Sequence, residues 1–187
     1  MIKRLTDIFL GLLILPVLIL LMIFIVLAIK LDSEGSSIHW SKRIGKNNKL
    51  FYMPKFRSMR INTPQIATHL IDDPKLYLTK VGIILRRTSL DELPQIYSIL
   101  KGDISFVGPR PALFNQDDLM KLRKEYNIDK LTPGLTGWAQ VNGRDEINIP
   151  QKVKLDLEYL QRQSLFFDVY ILWLTVIKVL KQNNVTH

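Results

Sequence analysis

Residues 8–29 read IFLGLLILPVLILLMIFIVLAI, 22 positions without a charge. As a straight helix they would extend about 33 Å at ~1.5 Å per residue, enough to cross the hydrocarbon of a bilayer. The run is longer than the roughly 7 to 15 apolar residues of a secretory signal core, and Lys30-Leu31-Asp32 offers no small-residue cleavage site. Pro16 stands inside it, where proline removes a backbone hydrogen bond and clashes with the carbonyl four residues back. Lys3 and Arg4 precede the run, and Lys30, Lys42, Arg43, Lys46 and Lys49 follow it. Basic flanks favour the cytoplasmic face. Two readings fit: a kinked helix that spans, and a hairpin broken at Pro16 whose ends stay on one face.

The full chain of 187 residues suits one domain with a real core. Lys plus Arg number 26 against 17 Asp plus Glu, a net charge of +9, so its partners are expected to be negative: nucleic acid, anionic lipid or phosphorylated substrates. The absence of cysteine excludes disulfides and thiolate zinc sites. His39, His69 and His187 lack metal-ligand spacing. A metal here would be a hard cation on carboxylates, Mg²⁺ or else Mn²⁺.

Beyond the apolar run, residues 32–59 carry glycine, serine and asparagine between short apolar pieces and read as turns and short strands. Residues 60–80 read as an irregular connector with one helical turn after Pro74. Leu90, Leu93, Ile96, Tyr97, Ile99 and Leu100 recur at helical spacing until Gly102 stops the pattern. Residues 115–126 and 150–162 also read as helices, the second with Pro150 in its first turn. Residues 165–180 are apolar but interrupted by Asp168 and Lys178, too short to span. Their Trp, Tyr and Lys suit a helix in the membrane interface, and a buried core helix is the other reading.

The stretch Arg86-Arg87-Thr88-Ser89-Leu90-Asp91-Glu92-Leu93-Pro94-Gln95 places two guanidinium groups before a helix start and two carboxylates in its first turn. Ser89-x-x-Glu92 also fits a capping box. A helix N-terminus attracts phosphate and holds a carboxylate ionised, and nearby arginines neutralise a diphosphate that would repel it. Adjacent residues point about 100° apart on a helix, so Asp91 and Glu92 are expected to do different work.

Three further stretches carry cations and glycines. In Lys55-Phe56-Arg57-Ser58-Met59 two cations flank an aromatic ring. Within Gly102 to Pro111, Arg110 is locked between two prolines, which suits bidentate phosphate recognition. Thr132 to Arg144 is punctuated by glycine, yet neither G-x-x-x-x-G-K-[ST] nor G-x-G-x-x-G is present.

In order and spacing these segments, with Lys3-Arg4-x-x-Asp7 ahead of them and Asp156 to Tyr159 after, resemble the bacterial sugar transferase family, the monotopic polyprenyl-phosphate phosphoglycosyl transferases. The resemblance covers nearly the whole chain. It implies an α+β fold, mainly helical with a small β element: a re-entrant helix-break-helix anchor over residues 1–31 with its break at Pro16, and a catalytic domain over residues 32–187 on the cytoplasmic face of the bacterial inner membrane, with interfacial amphipathic helices. Many members have serine before that proline, where this chain has Leu15.

The family's mechanism makes Asp91 the nucleophile on the β-phosphate of a UDP-sugar, releasing UMP, with Glu92 as base or as acceptor-positioning group. Mg²⁺ near Asp91 would screen the diphosphate, and polyprenyl phosphate would be the acceptor. Arg86, Arg110 and Arg144 match substrate- or phosphate-binding cations, Arg57 stands where members often have lysine, and Asp156 matches a recurring acidic position. The stretch Thr63 to Leu70 resembles members that handle N-acetylated amino or deoxyamino sugars. A membrane-tethered nucleic-acid-binding protein or an adaptor is the competing reading. Against the first, the cations sit beside carboxylates and fixed turns, not in an aromatic-interleaved stripe.

Overall fold

The computed structural model describes residues 2–63, 73–143 and 147–181. The apolar run belongs to α1, Ile2–Asp32, a helix that continues across Pro16. The expected division into two helices at that proline is therefore absent. Pro16 lies on the uncovered side of α1, and one missing N–H leaves the rest of the hydrogen-bond ladder in place. Asp7, Gly11, Leu15, Leu18, Met22, Ile25 and Ile29, three or four positions apart, form the covered side. Phe9, Leu13, Val17, Leu20, Phe24 and Leu27 stand exposed on the other.

A hairpin follows. β1 (Ile38–Ile44) pairs antiparallel with β2 (Leu50–Phe56), His39 facing Lys55 and Ser41 facing Met53. Side chains alternate along β2, so Phe51 and Met53 enter the core and Lys55 follows them on the same side. The short β4 (Ala112–Leu113) adds to the other edge of β1, for the order β2-β1-β4. A 3₁₀ turn over Pro74–Tyr77 follows the connector, where a helical turn was expected. Then come α2 (Lys80–Thr88), a 3₁₀ turn over Leu90–Gln95, and α3 (Ile96–Lys101), which ends at Gly102 with φ of 100°.

β3 (Ser105–Val107) and β5 (Gly134–Thr136) form a parallel pair. Gly108, Gly134 and Gly137 meet there backbone to backbone: a Cβ on Gly134 would lie 2.1 Å from the Gly108 nitrogen. These three glycines thus serve close chain approach. α4 (Asp117–Glu125) lies between these strands in sequence, and α5 (Trp138–Val141), α6 (Ile149–Arg162) and α7 (Leu165–Lys181) complete the chain. Among the described residues the fold is mostly helical, with two small sheets.

Four apolar clusters hold these elements. Leu15, Leu18 and Met22 of α1 pack on Phe51, Met53, Ile96 and Ile99, and farther along Ile25 and Ile29 pack with Phe56 and Leu85. Val107, Tyr159, Phe167 and Ile171 join the parallel strands to α6 and α7, while Ala112, Leu119, Ile128 and Val153 seat α4 on α6. Ile99→Ala should lose roughly 2–5 kcal/mol, since the side chain is fully enclosed; denaturant unfolding in detergent measures it.

Polar contacts tie both ends of α1 to the same body. Lys3 pairs with Asp168 of α7, Arg4 donates to the carbonyls of Ile99 and Leu100, and Asp7 accepts from the Ser105 hydroxyl at 3.0 Å and the Phe106 amide at 3.2 Å. At the far end Asp32 accepts from the Val81 amide at 3.0 Å. α7 buries Phe167, Asp168 and Ile171 but leaves Phe166, Val169, Tyr170, Trp173 and Val176 exposed, an uncovered apolar face.

Candidate active site

Asp91 and Glu92 sit on the 3₁₀ turn Leu90–Gln95, separated from α2 by Ser89 in the left-handed conformation, φ 57°. Ser89 makes no side-chain cap bond, so the expected capping box does not form. Glu92 turns instead to two cations: Lys55 Nζ donates to its Oε1 at 2.8 Å and Arg110 Nη2 to the same oxygen at 3.0 Å. Burial opposes its ionisation, but Lys55 and Arg110 more than offset that and hold the carboxyl well below the usual range.

Asp91 differs. Among the described residues no hydrogen bond or salt bridge reaches its carboxylate. Burial pushes its pKa upward; Lys55 pulls down, Glu92 adds to the rise, and Arg86 and Arg110 pull down as well. The helix-terminus effect expected to lower it is absent, because a six-residue 3₁₀ turn builds no comparable dipole. The two adjacent carboxylates therefore have opposite environments, one doubly paired and one poised among cations without a bond.

Arg86 of α2 donates Nε to the Ser58 hydroxyl at 2.9 Å and Nη2 to Met59 Sδ at 3.2 Å, and its charge acts on Asp91. A Cβ on Gly82 would lie 2.0 Å from the Ser58 carbonyl oxygen, so that glycine lets α2 sit against the segment that steers Arg86. Lys55, absent from the expected site residues, is a central member; burial pushes its ammonium down, against the pull of Glu92 and Asp91.

The structure brings together Asp91, Glu92, Arg86 and Arg110, and two other expected residues go elsewhere. Arg57 lies just past β2 and donates to the Ser33 and Glu34 carbonyls and the Ser33 hydroxyl, so it caps the end of α1. Its neighbour Lys55 takes the place beside the carboxylates because strand alternation points it inward. Asp156 of α6 is buried and accepts from Arg123 of α4, Nε at 3.0 Å and Nη2 at 2.7 Å. Burial pushes Asp156 up and Arg123 pulls it down. Arg123 Nη1 also donates to the Arg110 carbonyl at 2.9 Å. Asp156 thus stands behind the site, linked through Arg123 to the backbone that carries Arg110. Arg144 and residues 64–70 lie outside the described residues.

No group of three or more His, Asp and Glu gathers as a metal cage among the described residues. Mg²⁺ commonly takes only one or two carboxylates and completes its shell with water and substrate phosphates. The unbonded Asp91 carboxylate fits that donor set.

Residues 1–182 match the model for bacterial sugar transferases. The chain is 42% identical over 187 residues to the UDP-glucose:undecaprenyl-phosphate glucose-1-phosphate transferase of Escherichia coli (strain K12), covering 95% of this chain and 40% of that protein. It is 37% identical over 183 residues to the uncharacterized sugar transferase EpsL of Bacillus subtilis (strain 168), covering 98% and 89%. A third relative is the UDP-N-acetylgalactosamine-undecaprenyl-phosphate N-acetylgalactosaminephosphotransferase of Aeromonas hydrophila, 34% identical over 184 residues, covering 96% and 44%. The chain therefore spans less than half the length of the relatives whose substrates are named. Matched from its first residue to residue 182, this chain belongs to the bacterial sugar transferase family.

Proposed function

We propose that the protein transfers a sugar 1-phosphate from a UDP-sugar to polyprenyl phosphate, undecaprenyl phosphate in bacteria, at the cytoplasmic face of the inner membrane, the first membrane step of glycoconjugate synthesis. The observation that carries this reading is the contrast between Asp91, free of bonds among cations, and Glu92, paired with Lys55 and Arg110. An Asp91 oxygen attacks the sugar-bearing phosphorus, the bond from that phosphorus to the bridging oxygen breaks, and UMP leaves with the bridging oxygen. An oxygen of the lipid phosphate then attacks the same phosphorus, the bond to Asp91 breaks, and the carboxylate is restored. Lys55, Arg86 and Arg110 offset the diphosphate charge that would repel Asp91. Glu92, held ionised by two cations, is a poor base and fits the role of fixing them. Mg²⁺ would be held by Asp91 with the diphosphate oxygens and would screen their charge.

Supplying a panel of UDP-sugars with polyprenyl phosphate and Mg²⁺ should release UMP with at least one donor; none from any donor rejects the reading. The relatives' names include glucose and N-acetylgalactosamine donors, so the panel spans neutral and N-acetylated sugars. Gly82→Ala should push α2 away from Ser58 and misplace Arg86, lowering kcat/KM by up to about 100-fold. UMP-release kinetics on the folded variant measure this.

The same reading makes α1 a re-entrant anchor that keeps both ends on the cytoplasmic face, the continuous helix bending at Pro16 without dividing there. Its covered side meets one body from Lys3 to Asp32, whereas a spanning helix would carry one end about 30 Å from a domain confined to one side. Since the chain has no cysteine, Ile2→Cys and Ser36→Cys can be labelled singly. Both should react from the cytoplasmic side; labelling from opposite sides would mean a spanning helix.

A further inference from the structure

A cavity of about 500 Å³ opens where the first two turns of α1 meet the first turn of α7. Its wall carries Lys3, Arg4, Lys46 and Lys130 against Asp7 and Asp168, four cations to two anions. Both carboxylates are already committed: Asp7 to Ser105 and Phe106, Asp168 to Lys3 and Tyr159. Lys46 and Lys130 come from two 3₁₀ turns, Lys46–Asn48 and Ile128–Lys130, that pack on each other, and neither lysine has an acidic partner among the described residues. Thr132, Gln163 and Ser164 add neutral donors at the rim. The volume suits one small-molecule ligand, typically about 300–1,000 Å³.

This place is separate from the carboxylate pair. None of Lys55, Asp91, Glu92 or Arg110 lines it. The turn that holds Asp91 packs on α1 near Ile25 and Ile29, about 27 Å along the helix from Asp7 at ~1.5 Å per residue. Next in sequence to the lining residues Lys3, Arg4, Leu165 and Asp168 stand some of the most exposed apolar side chains of the molecule: Phe166 at 91%, Ile2 at 65%, Val169 at 64% and Leu5 at 60%. Cations beside uncovered apolar groups are the pairing that an anionic lipid presents in reverse, phosphate above acyl chain.

We propose that this cavity binds the phosphodiester headgroup of an anionic bilayer phospholipid, whose acyl chains lie over Ile2, Leu5 and Phe166. The inference rests on the membrane location given under Proposed function and adds a second lipid site, apart from the acceptor's.

The test uses the full chain in detergent micelles, with phosphatidylglycerol, phosphatidylcholine and free glycerol 3-phosphate as probes and native mass spectrometry as the readout. Phosphatidylglycerol should bind in preference to phosphatidylcholine. Lys46→Gln with Lys130→Gln should weaken it about 25-fold, from about fivefold per lysine at an anionic surface. The arginine pair Lys46→Arg with Lys130→Arg should restore it. Lys121→Gln with Lys124→Gln, exposed on α4 and outside the cavity, should leave binding at the wild-type level. Equal loss in this control pair would show diffuse charge attraction and overturn the proposal. So would equal retention of phosphatidylcholine, or glycerol 3-phosphate binding as tightly as the lipid, which would make the cavity a soluble-phosphate site. UMP release by wild type in the same micelles separates the readings: release without lipid preference refutes the cavity proposal alone, and lipid preference without release refutes the transferase.

Discussion

Asp91→Asn is expected to reduce sugar-phosphate transfer on the order of a thousandfold or more, since an amide oxygen neither attacks phosphorus nor forms the linkage that the lipid phosphate must later break. The same substitution should raise Tm. Burial pushes the Asp91 pKa upward in the folded chain, so ionised Asp91 weakens the fold once the pH exceeds its unfolded value, and an uncharged amide removes that cost. Activity lost with stability gained would separate a chemical role from a structural one; substantial remaining transfer, or a phosphosugar adduct mapped to Glu92, would overturn the assignment. The pH profile supplies a second test. Transfer needs Asp91 ionised, so its acid limb should lie above the ordinary carboxylate range. Lys55 is the largest charge pulling that pKa down, and Lys55→Met should move the limb to still higher pH. Glu92 is displaced oppositely: its contribution to stability is present above its unfolded pKa and lost only as pH falls through the depressed value. The limb in kcat/KM therefore reports Asp91.

Much of this arrangement was legible in the chain because it is local. The apolar run, the helices near 117–125 and 149–162, the strand-and-turn region and the Asp91-Glu92 pair each show in adjacent residues. What depends on distant pairing was less so. Lys55 and Arg57 stand two apart, and only Arg57 is an expected site residue; strand β2 ends at Phe56, so only Lys55 keeps the inward direction of Phe51 and Met53. Arg57 follows the chain out of the strand and meets the end of α1, 23 residues earlier. Glu92 read equally well as a cap, since nothing local reveals that Lys55 and Arg110 arrive from 37 and 18 residues away. Among the glycines of residues 132–143, Gly134 and Gly137 meet Gly108 backbone to backbone across a parallel pair, a contact no local spacing reveals. In α1 the helix runs on through Pro16, and the tertiary contacts of Leu15, Leu18, Met22, Ile25 and Ile29 that set its covered side come from segments distant in sequence.

One buried charge was visible without its purpose. Asp156 falls on the core side of α6, three residues from both Val153 and Tyr159, and Arg123 falls on the core side of α4, four residues after Leu119. A charge at a core position on each of two packed helices calls for a partner. Asp156→Ala should cost roughly 3–5 kcal/mol, because it strands the Arg123 guanidinium in the interior. It should also lower transfer, since Arg123 Nη1 holds the Arg110 carbonyl at 2.9 Å and Arg110 in turn holds Glu92. A merely structural pair would affect stability alone. Arg123→Lys distinguishes the two: it keeps the charge beside Asp156 but has no fork to reach both Asp156 and the Arg110 carbonyl. That variant should fold with a modest loss of Tm, yet release UMP with a KM for the UDP-sugar raised about tenfold or more, the size expected when one charge-assisted contact to a diphosphate is misplaced. If Arg123→Lys leaves KM unchanged while Asp156→Ala unfolds the chain, the pair supports the fold only, and Arg110 is positioned by its two flanking prolines.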